Sequence, residues 1–232
     1  MQETLNFGKS EKGKVKKVLD GYEQAATTSY FEEQRAKKDG CTITLYESGK
    51  LSIQGEKAGN VKAEILAALN LNPRLVIGID ETGRGERTGP MVITGVLADT
   101  NEVREVRDSK KTNDITAKEK IVSGRMLGSV SVVLNSALID LARNNGKNLN
   151  EMEARAIEKI AEILSLYADA EIIADGAPLK VQNPKIKFLP KGDDLEPVIG
   201  AASVTAKHLR NNSADKGERK TWKKKADSKT GD

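Results

Sequence analysis

The pattern of hydrophobic and polar positions changes character near residue 75 of this chain. Before that point, the first forty residues are polar, with only a weak helical pattern over residues 15–19 and 22–26. Residues 41–55 then contain two alternating runs on either side of Ser48-Gly49. Alternation of this kind around a turn is typical of two antiparallel strands, so these residues predict a β-hairpin.

A helical pattern closes this first region. Residues 60–73 carry apolar side chains at helical spacing and end in an Asn-Pro pair, which predicts a helix that stops there. The hairpin and the helix together predict a small α+β domain at residues 1–72, with a linker at residues 70–74.

From residue 75 onward, near-continuous apolar runs alternate with amphipathic segments. Apolar runs of this length are typical of strands buried on both faces, and amphipathic segments are typical of helices that cover a sheet. The pattern predicts strands at residues 75–79, 91–97, 129–138, 170–176 and 185–193, and helices at residues 116–127, 148–168 and 196–209. This alternation predicts an α/β domain around a central sheet.

The composition excludes several classes of protein. The chain has 232 residues, of which 38% are hydrophobic and 31% charged, and no apolar run approaches the roughly 20 residues that span a bilayer. Its first residues lack the apolar core of a signal peptide, and Cys41 is the one cysteine, so we expect a cytoplasmic protein without disulfides. Because His208 is the one histidine, any catalysis has to depend mainly on carboxylates.

The positive charge is concentrated at the C-terminal end. The net charge of the chain is +4, but the residues from Lys207 onward hold nine Lys/Arg against four Asp/Glu, a surplus of five. Residues 213–232 are therefore interpreted as a basic tail. The pattern fits equally well a solvated chain end and a contact with nucleic acid.

Acidic residues follow three of the predicted strands: Asp80 and Glu81, then Asp175, then Asp193 and Asp194. Functional clefts of open α/β sheets lie beyond the carboxyl ends of the strands, so these side chains converge if the strands are neighbours. Clustered carboxylates need a compensating cation, and oxygen ligands favour Mg²⁺ or Mn²⁺. Two such ions held about 4 Å apart promote the cleavage of phosphodiester bonds. The alternative is a set of solvated or helix-capping acids.

A glycine-rich turn with two arginines, GRGERTG, follows the first acidic pair. It is not a dinucleotide-binding loop, because the segment after it predicts a strand where such a loop needs a helix. Its glycines still allow close approach of a ligand to the backbone, and Arg84 and Arg87 are suited to phosphate or ribose.

Five short motifs, GIDETGRG…GP, DSKK, ADG, KGD and AASVTAK, occur in the order seen in type 2 ribonucleases H, the ribonuclease HII/HIII family. The resemblance covers about residues 75–210. It implies a ribonuclease H-like mixed sheet flanked by helices and a divalent-metal-dependent endonuclease that cuts the RNA strand of an RNA–DNA hybrid. By motif, the resemblance implies four catalytic metal ligands: Asp80, Glu81, Asp175 and Asp193.

The same resemblance implies which residues contact the substrate. Three come from the glycine-rich turn, two from DSKK, and three from one polar stripe of the last helix: Gly83, Arg84, Gly85, Ser109, Lys110, Ser203, Lys207 and Arg210. Backbone and side-chain groups of the turn would contact ribose 2′-hydroxyls, the feature that distinguishes RNA from DNA.

The N-terminal residues extend the resemblance. The hairpin sequence LYESGKLSIQG resembles part of the small TATA-binding-protein-like domain of ribonuclease HIII, whereas the intact glycine-arginine-glycine turn is more typical of ribonuclease HII. We therefore predict a substrate-binding domain at residues 1–72, a catalytic domain at residues 73–212 and a tail, in a protein that acts as a monomer. Because little of the family's usual C-terminal region follows Arg210, the alternative is a catalytically weak or silent nucleic-acid-binding protein on the same fold.

Overall fold

The computed structural model describes residues 2–69, 71, 73–104 and 114–222. Within them, the strands form two five-stranded sheets that are separate in sequence. The first sheet uses strands before residue 55 and the second uses strands from residue 75 onward. The change of pattern near residue 75 therefore coincides with the change from one sheet to the other.

The N-terminal sheet is antiparallel, with the strand order β1-β5-β4-β3-β2. Its elements are β1 (Gln2–Asn6), α1 (Lys9–Asp20), β2 (Glu23–Ala25), β3 (Glu32–Lys38), β4 (Cys41–Tyr46), β5 (Lys50–Gln54) and α2 (Ala58–Ala68). The predicted hairpin is present as β4 and β5, in a register that pairs Ile43 with Ile53 and Leu45 with Leu51. These four side chains pack against the two helices in one hydrophobic core.

Three elements of this region differ from the sequence prediction. The helix predicted over residues 22–26 is wrong, because Glu23–Ala25 forms strand β2, and neither strand β1 nor strand β3 was predicted. β3 has the sequence EEQRAKK, in which Ala36 is the one apolar residue. Its strand conformation comes from pairing with β4, which alternation of hydrophobic residues cannot reveal.

The second sheet is mixed, with the strand order β10-β9-β6-β7-β8. The elements are β6 (Leu75–Thr82), β7 (Met91–Asp99), α3 (Ile115–Ser123), β8 (Gly128–Leu134), α4 (Ser136–Asn144), α5 (Leu149–Leu164), β9 (Glu171–Asp175), β10 (Ile186–Leu189), α6 (Gly192–Leu195) and α7 (Pro197–Asn211). β10, β9 and β6 are parallel, whereas β6, β7 and β8 pair antiparallel. This architecture confirms the predicted mixed α/β fold.

Helices cover both faces of the mixed sheet. Ile77 and Ile79 of β6 pack in one core with α5, while the alternate residue Val76 packs in another with α7 and α3. Glycines in the sheet allow this close packing: a Cβ on Gly78 would lie 2.5 Å from the backbone of α7, and one on Gly95 would lie 2.2 Å from Ile160 of α5. The central strands are consequently buried on both sides, which explains their continuous apolar sequences.

The predicted strand at residues 129–138 is too long. β8 ends at Leu134, and residues 136–144 form α4, a helix that the sequence analysis missed. Only Asn135 and Ser136 separate β8 from the apolar residues Ala137 and Leu138 of α4, so the sequence pattern extended the predicted strand into the helix.

Polar contacts join the two units near the linker. Arg104 lies 3.3 Å from Glu11 of α1 in an ion pair, and the Asn101 side chain donates a hydrogen bond to the Leu71 carbonyl. Among the described helices, none has both the length and the apolar character needed to cross a membrane.

Candidate metal centre and glycine loop

Three carboxylates meet where β6 and β9 run side by side. Oxygens of Asp80, Glu81 and Asp175 all lie within 4.8 Å of one another. The parallel register pairs Ile79 with Ala174, so Asp80 and Asp175 occupy the next positions along neighbouring strands. The structure thus brings together three of the four acids predicted as metal ligands.

Glu81 joins the cluster although it follows Asp80 directly on the same strand. Adjacent strand residues normally point to opposite faces, yet the pairing of β6 with β7 continues regularly through Thr82, without a bulge. The longer side chain of Glu81, half-buried near the end of the strand, brings its carboxylate close to that of Asp80.

Burial and repulsion make this cluster electrostatically unfavourable on its own. Asp80 is 6% exposed, and burial, opposed by a hydrogen bond from Ser203 and reinforced by the charges of Glu81 and Asp175, raises its pKa to about 7. Burial also raises the pKa of Glu81, with a contribution from Glu153. The ionised cluster therefore needs a positive charge to compensate it. Its ligand atoms are all oxygens, which suits a hard divalent cation such as Mg²⁺ or Mn²⁺.

Asp193, the fourth predicted ligand, directly follows Gly192, which contacts Asp175, but its carboxylate is outside the group of three. It belongs to α6, whose first residue, Gly192, donates its backbone N–H to Asp175 Oδ1 at 2.5 Å. Lys191 precedes this contact in the left-handed conformation, with φ of 59°. This conformation is strained for a non-glycine residue, and it turns the backbone so that the Gly192 amide points at Asp175.

Glu153 of α5 is a further buried acid near the cluster, which the sequence analysis did not select. It is 5% exposed; burial raises its pKa, Arg84 counteracts that effect, and Asp80 and Asp175 add to it. Glu153 Oε2 lies 2.7 Å from Arg84 Nε in an ion pair that does not have hydrogen-bond geometry. A charged residue four positions before Ile157, in the buried stripe of α5, was the available signal.

The polar stripe predicted on α7 has a different environment at each of its members. Ser203 is buried, its hydroxyl counteracts the rise that burial causes in the pKa of Asp80, and it accepts a hydrogen bond of 2.8 Å from the exposed Lys207. Arg210 instead donates to the carbonyls of Thr88 and Pro90, at 3.1 and 3.2 Å. Ser109 and Lys110 lie outside the described residues.

Residues 83–90, here called the glycine loop, connect β6 to β7. Gly83 and Gly89 have φ of 80° and 72°, and a Cβ on Gly83 would lie 2.3 Å from Arg210 Nε. Their lack of a side chain is therefore required by the fold. Gly85 has no such constraint, because a Cβ there would meet no atom within 4 Å. The open space at Gly85 is compatible with close approach of a ligand.

The glycine loop is held by residues near the C-terminal end, which we call the C-terminal strap (residues 213–222). Arg219 is 1% exposed and donates to three loop carbonyls: Nη2 to Gly83 at 2.8 Å, Nη1 to Arg84 at 3.3 Å, and Nε and Nη2 to Gly89 at 3.0 and 2.9 Å. Sequence analysis interpreted this region as a basic tail, and no local pattern distinguishes the buried Arg219 from its exposed neighbours.

Both ends of the C-terminal strap are also fixed to α4. Asp215 accepts hydrogen bonds from the backbone and hydroxyl of Ser136, at 2.6 and 2.9 Å. Asp140 accepts from the backbone N–H groups of Lys220 and Thr221, at 2.8 and 2.9 Å. The structure therefore orders the start of the predicted tail, through Trp222.

A mixed α/β sheet with carboxylates gathered at its strand ends defines the class of divalent-metal-dependent nucleases with a ribonuclease H-like fold. Comparison with known proteins identifies the family. The sequence model described as Ribonuclease HII matches residues 77–231. The chain belongs to this family of type 2 ribonucleases H, which are endonucleases that hydrolyse phosphodiester bonds.

Individual relatives agree with this assignment. Ribonuclease HII of Methanosphaera stadtmanae is 32% identical over 153 residues, covering 59% of this chain and 71% of that protein. Ribonuclease HIII of Protochlamydia amoebophila is 27% identical over 227 residues, covering 83% of this chain and 74% of that protein. The crystal structure of Bst-RNase HIII in complex with Mn²⁺ is 21% identical, with a TM-score of 0.54 over 91% of this chain and 81% of that one, which is a likeness of fold.

Proposed function

We propose that this chain cuts the RNA strand of RNA–DNA hybrids at a metal centre held by Asp80, Glu81 and Asp175, with Asp193 as a fourth ligand. The observation that carries the proposal is the meeting of three carboxylates within 4.8 Å at the end of β6 and β9. Mutual repulsion and burial make three ionised carboxylates unfavourable at this place unless a bound cation compensates their charge. Membership of the ribonuclease HII family supports the same assignment.

The residues around the cluster prepare it for that role. Gly192 donates a backbone hydrogen bond to Asp175 and so orients that carboxylate, and the buried Ser203 side chain counteracts the rise that burial causes in the pKa of Asp80. When bound, divalent ions supply activation of the attacking water and stabilisation of charge on the phosphate and the leaving oxygen. Arg84 and the exposed Lys207 provide the positive charge that draws a phosphate backbone toward the carboxylates.

The glycine loop is the proposed reader of the ribose. Gly83, Arg84 and Gly85 lie directly after the metal-binding end of β6, and the open space at Gly85 leaves room for a sugar. Ser109, Lys110, Ser203 and Lys207 are proposed to contact phosphates along the duplex. In this arrangement Arg210 acts on the substrate through the loop carbonyls that it binds.

The test is cleavage of a labelled RNA–DNA hybrid with Mn²⁺ or Mg²⁺, with EDTA as the metal-free control. We expect the parent to shorten the RNA in metal alone and Asp80→Asn to lose roughly a thousandfold in kcat, because a bound metal contributes several kcal/mol. Asp169→Asn, a change at an exposed acid between α5 and β9, is the matched control and should cut normally. Parental activity in Asp80→Asn would refute the assignment, and a parent that only shifts the hybrid would identify a silent binder.

The remaining parts of the chain have proposed supporting roles. Residues 1–72 form a substrate-binding domain, residues 73–212 the catalytic domain, and residues 213–232 a basic segment that adds affinity for nucleic acid. The single cysteine supports a cytoplasmic location, and a monomer is proposed because the three clustered acids come from one chain.

A further inference from the structure

The glycine loop is shaped by hydrogen bonds to its carbonyl groups, and nearly all of these come from two arginines. The Arg219 side chain donates hydrogen bonds to the carbonyls of Gly83, Arg84 and Gly89. The Arg219 backbone N–H donates to the carbonyl of Arg87 at 2.8 Å. Together with the contacts of Arg210 at the end of the loop, these bonds hold the carbonyls toward the C-terminal strap.

Peptide geometry then fixes where the amides point. In a trans peptide the N–H of one residue points opposite to the carbonyl of the residue before it, and no cis peptide bond occurs in the described chain. With the carbonyls of Gly83 and Arg84 drawn to Arg219, the N–H groups of Arg84 and Gly85 point away from it. Two adjacent donors thus point away from Arg219, and at Gly85 a Cβ would meet no atom within 4 Å, so side chains do not crowd this turn.

The chemistry of Arg219 suits this task. A guanidinium offers five donors in a fixed plane, and here three of its nitrogens reach carbonyls on both ends of the loop. A lysine ammonium at the same site is a single point of charge and cannot bridge the two ends. Because Arg219 is fully buried, its role is internal and it does not itself touch a ligand.

We infer that Arg219 and the C-terminal strap are positioning elements for substrate binding: they set the outward amides of Arg84 and Gly85 that receive an oxygen of the RNA strand. This inference rests on the proposed function of the site. It assigns a role in recognition to residues 213–222, a segment with none of the three clustered carboxylates.

The test compares Arg219→Lys with the parent in KM, kcat and amide hydrogen exchange of the glycine loop. Losing one or two loop hydrogen bonds should raise KM for the hybrid by about tenfold, with kcat changed less than about twofold, because binding by the loop is shared by ground and transition states. Exchange at loop amides should accelerate, and binding of Mn²⁺ alone, measured calorimetrically, should be unchanged.

Two further variants separate positioning from general destabilisation. Asp140→Asn weakens the strap at its other end and should raise KM in the same direction, which decides the question even if Arg219→Lys does not fold. Val122→Ala removes buried methyl groups between α3 and α7 and should lower stability without raising KM.

Parental KM together with unchanged loop exchange in the strap variants would overturn the inference, as would an equal rise of KM in Val122→Ala. A parent that leaves the RNA intact refutes the proposed nuclease instead. In that case the dissociation constant of the hybrid replaces KM in the same comparison, and the inference is still decided.

Discussion

Asp80 combines burial with two neighbouring acids, so its ionised form is costly in the folded chain without a metal. A pKa of about 7 in the folded state, against about 3.9 in an unfolded chain, means that the folded protein binds the extra proton between these values. The contribution of Asp80 to the stability of the metal-free protein is therefore fully present below about pH 4 and is lost as the pH rises through 7. The cluster lowers the stability of the metal-free protein at neutral pH, and the same uncompensated charge favours binding of a cation.

Asp80→Asn should consequently stabilise the metal-free protein at high pH. The amide cannot ionise, and its oxygen still accepts from the Glu81 N–H, so we expect the free energy of unfolding in EDTA at pH 8 to rise by on the order of 2 kcal/mol. The difference should shrink toward pH 4. Urea denaturation at several pH values measures it, with Asp169→Asn as the control. A variant no more stable than the parent at pH 8 would contradict the raised pKa.

The residues of the site were predictable from sequence to the extent that their roles depend on strand ends. Asp80, Glu81 and Asp175 follow apolar runs, and the register of the parallel strands β6 and β9 brings the ends of these runs together. Glu153 and Arg219 were missed because each is defined by a tertiary partner, Arg84 in one case and the loop carbonyls in the other. A buried charge on a helix face can be noticed in a sequence, but its partner cannot.

Among the elements, the packing of α5 on β7 depends on one small residue. A Cβ on Gly95 would lie 2.2 Å from Ile160 and 3.1 Å from Leu164, so Gly95→Ala forces the helix away from the sheet. Overpacking of this kind costs about 1–3 kcal/mol, and we expect the urea midpoint to fall accordingly.

Gly128→Ala is the matched control for this prediction. Gly128 is also in a strand, but a Cβ there would meet no atom within 4 Å, so the change should be neutral or slightly stabilising. Equal midpoints for the two variants would show that the close contact between α5 and β7 does not limit stability.

Element prediction succeeded where burial is two-sided and failed where it is not. β6 and β7 carry continuous apolar sequences because helices cover both faces of the mixed sheet, and the pattern reports this directly. β3 and α4 are polar or exposed in large part, and their conformation comes from pairing or from capping contacts with distant residues. Local hydrophobicity carries no record of the pairing of β3, whereas α4 is amphipathic and its first apolar residues were assigned to the preceding strand.

At the scale of the whole molecule, charge is distributed unevenly along the chain. Four lysines lie beyond Trp222, at the end of the ordered strap. If they contact phosphates, deleting residues 223–232 should weaken hybrid binding and reduce the slope of log K against log salt by about 1 to 3. Affinity measured from 50 to 300 mM salt tests this, and deletion of residues 230–232, which removes no lysine, is the control. An unchanged slope would identify these residues as a solvated end.

The dependence of the glycine loop on Arg219 also orders events during synthesis. A ribosome releases the N-terminal sheet, the carboxylates and the loop well before residue 219, since chains emerge from their first residue onward. The acids are then in place while the ribose reader lacks the arginine that shapes it. We expect a growing polypeptide of this kind to be a poor nuclease until Arg219 has emerged and bound the loop carbonyls, and a fusion partner attached directly after Trp222 would lie beside the segment that completes the loop.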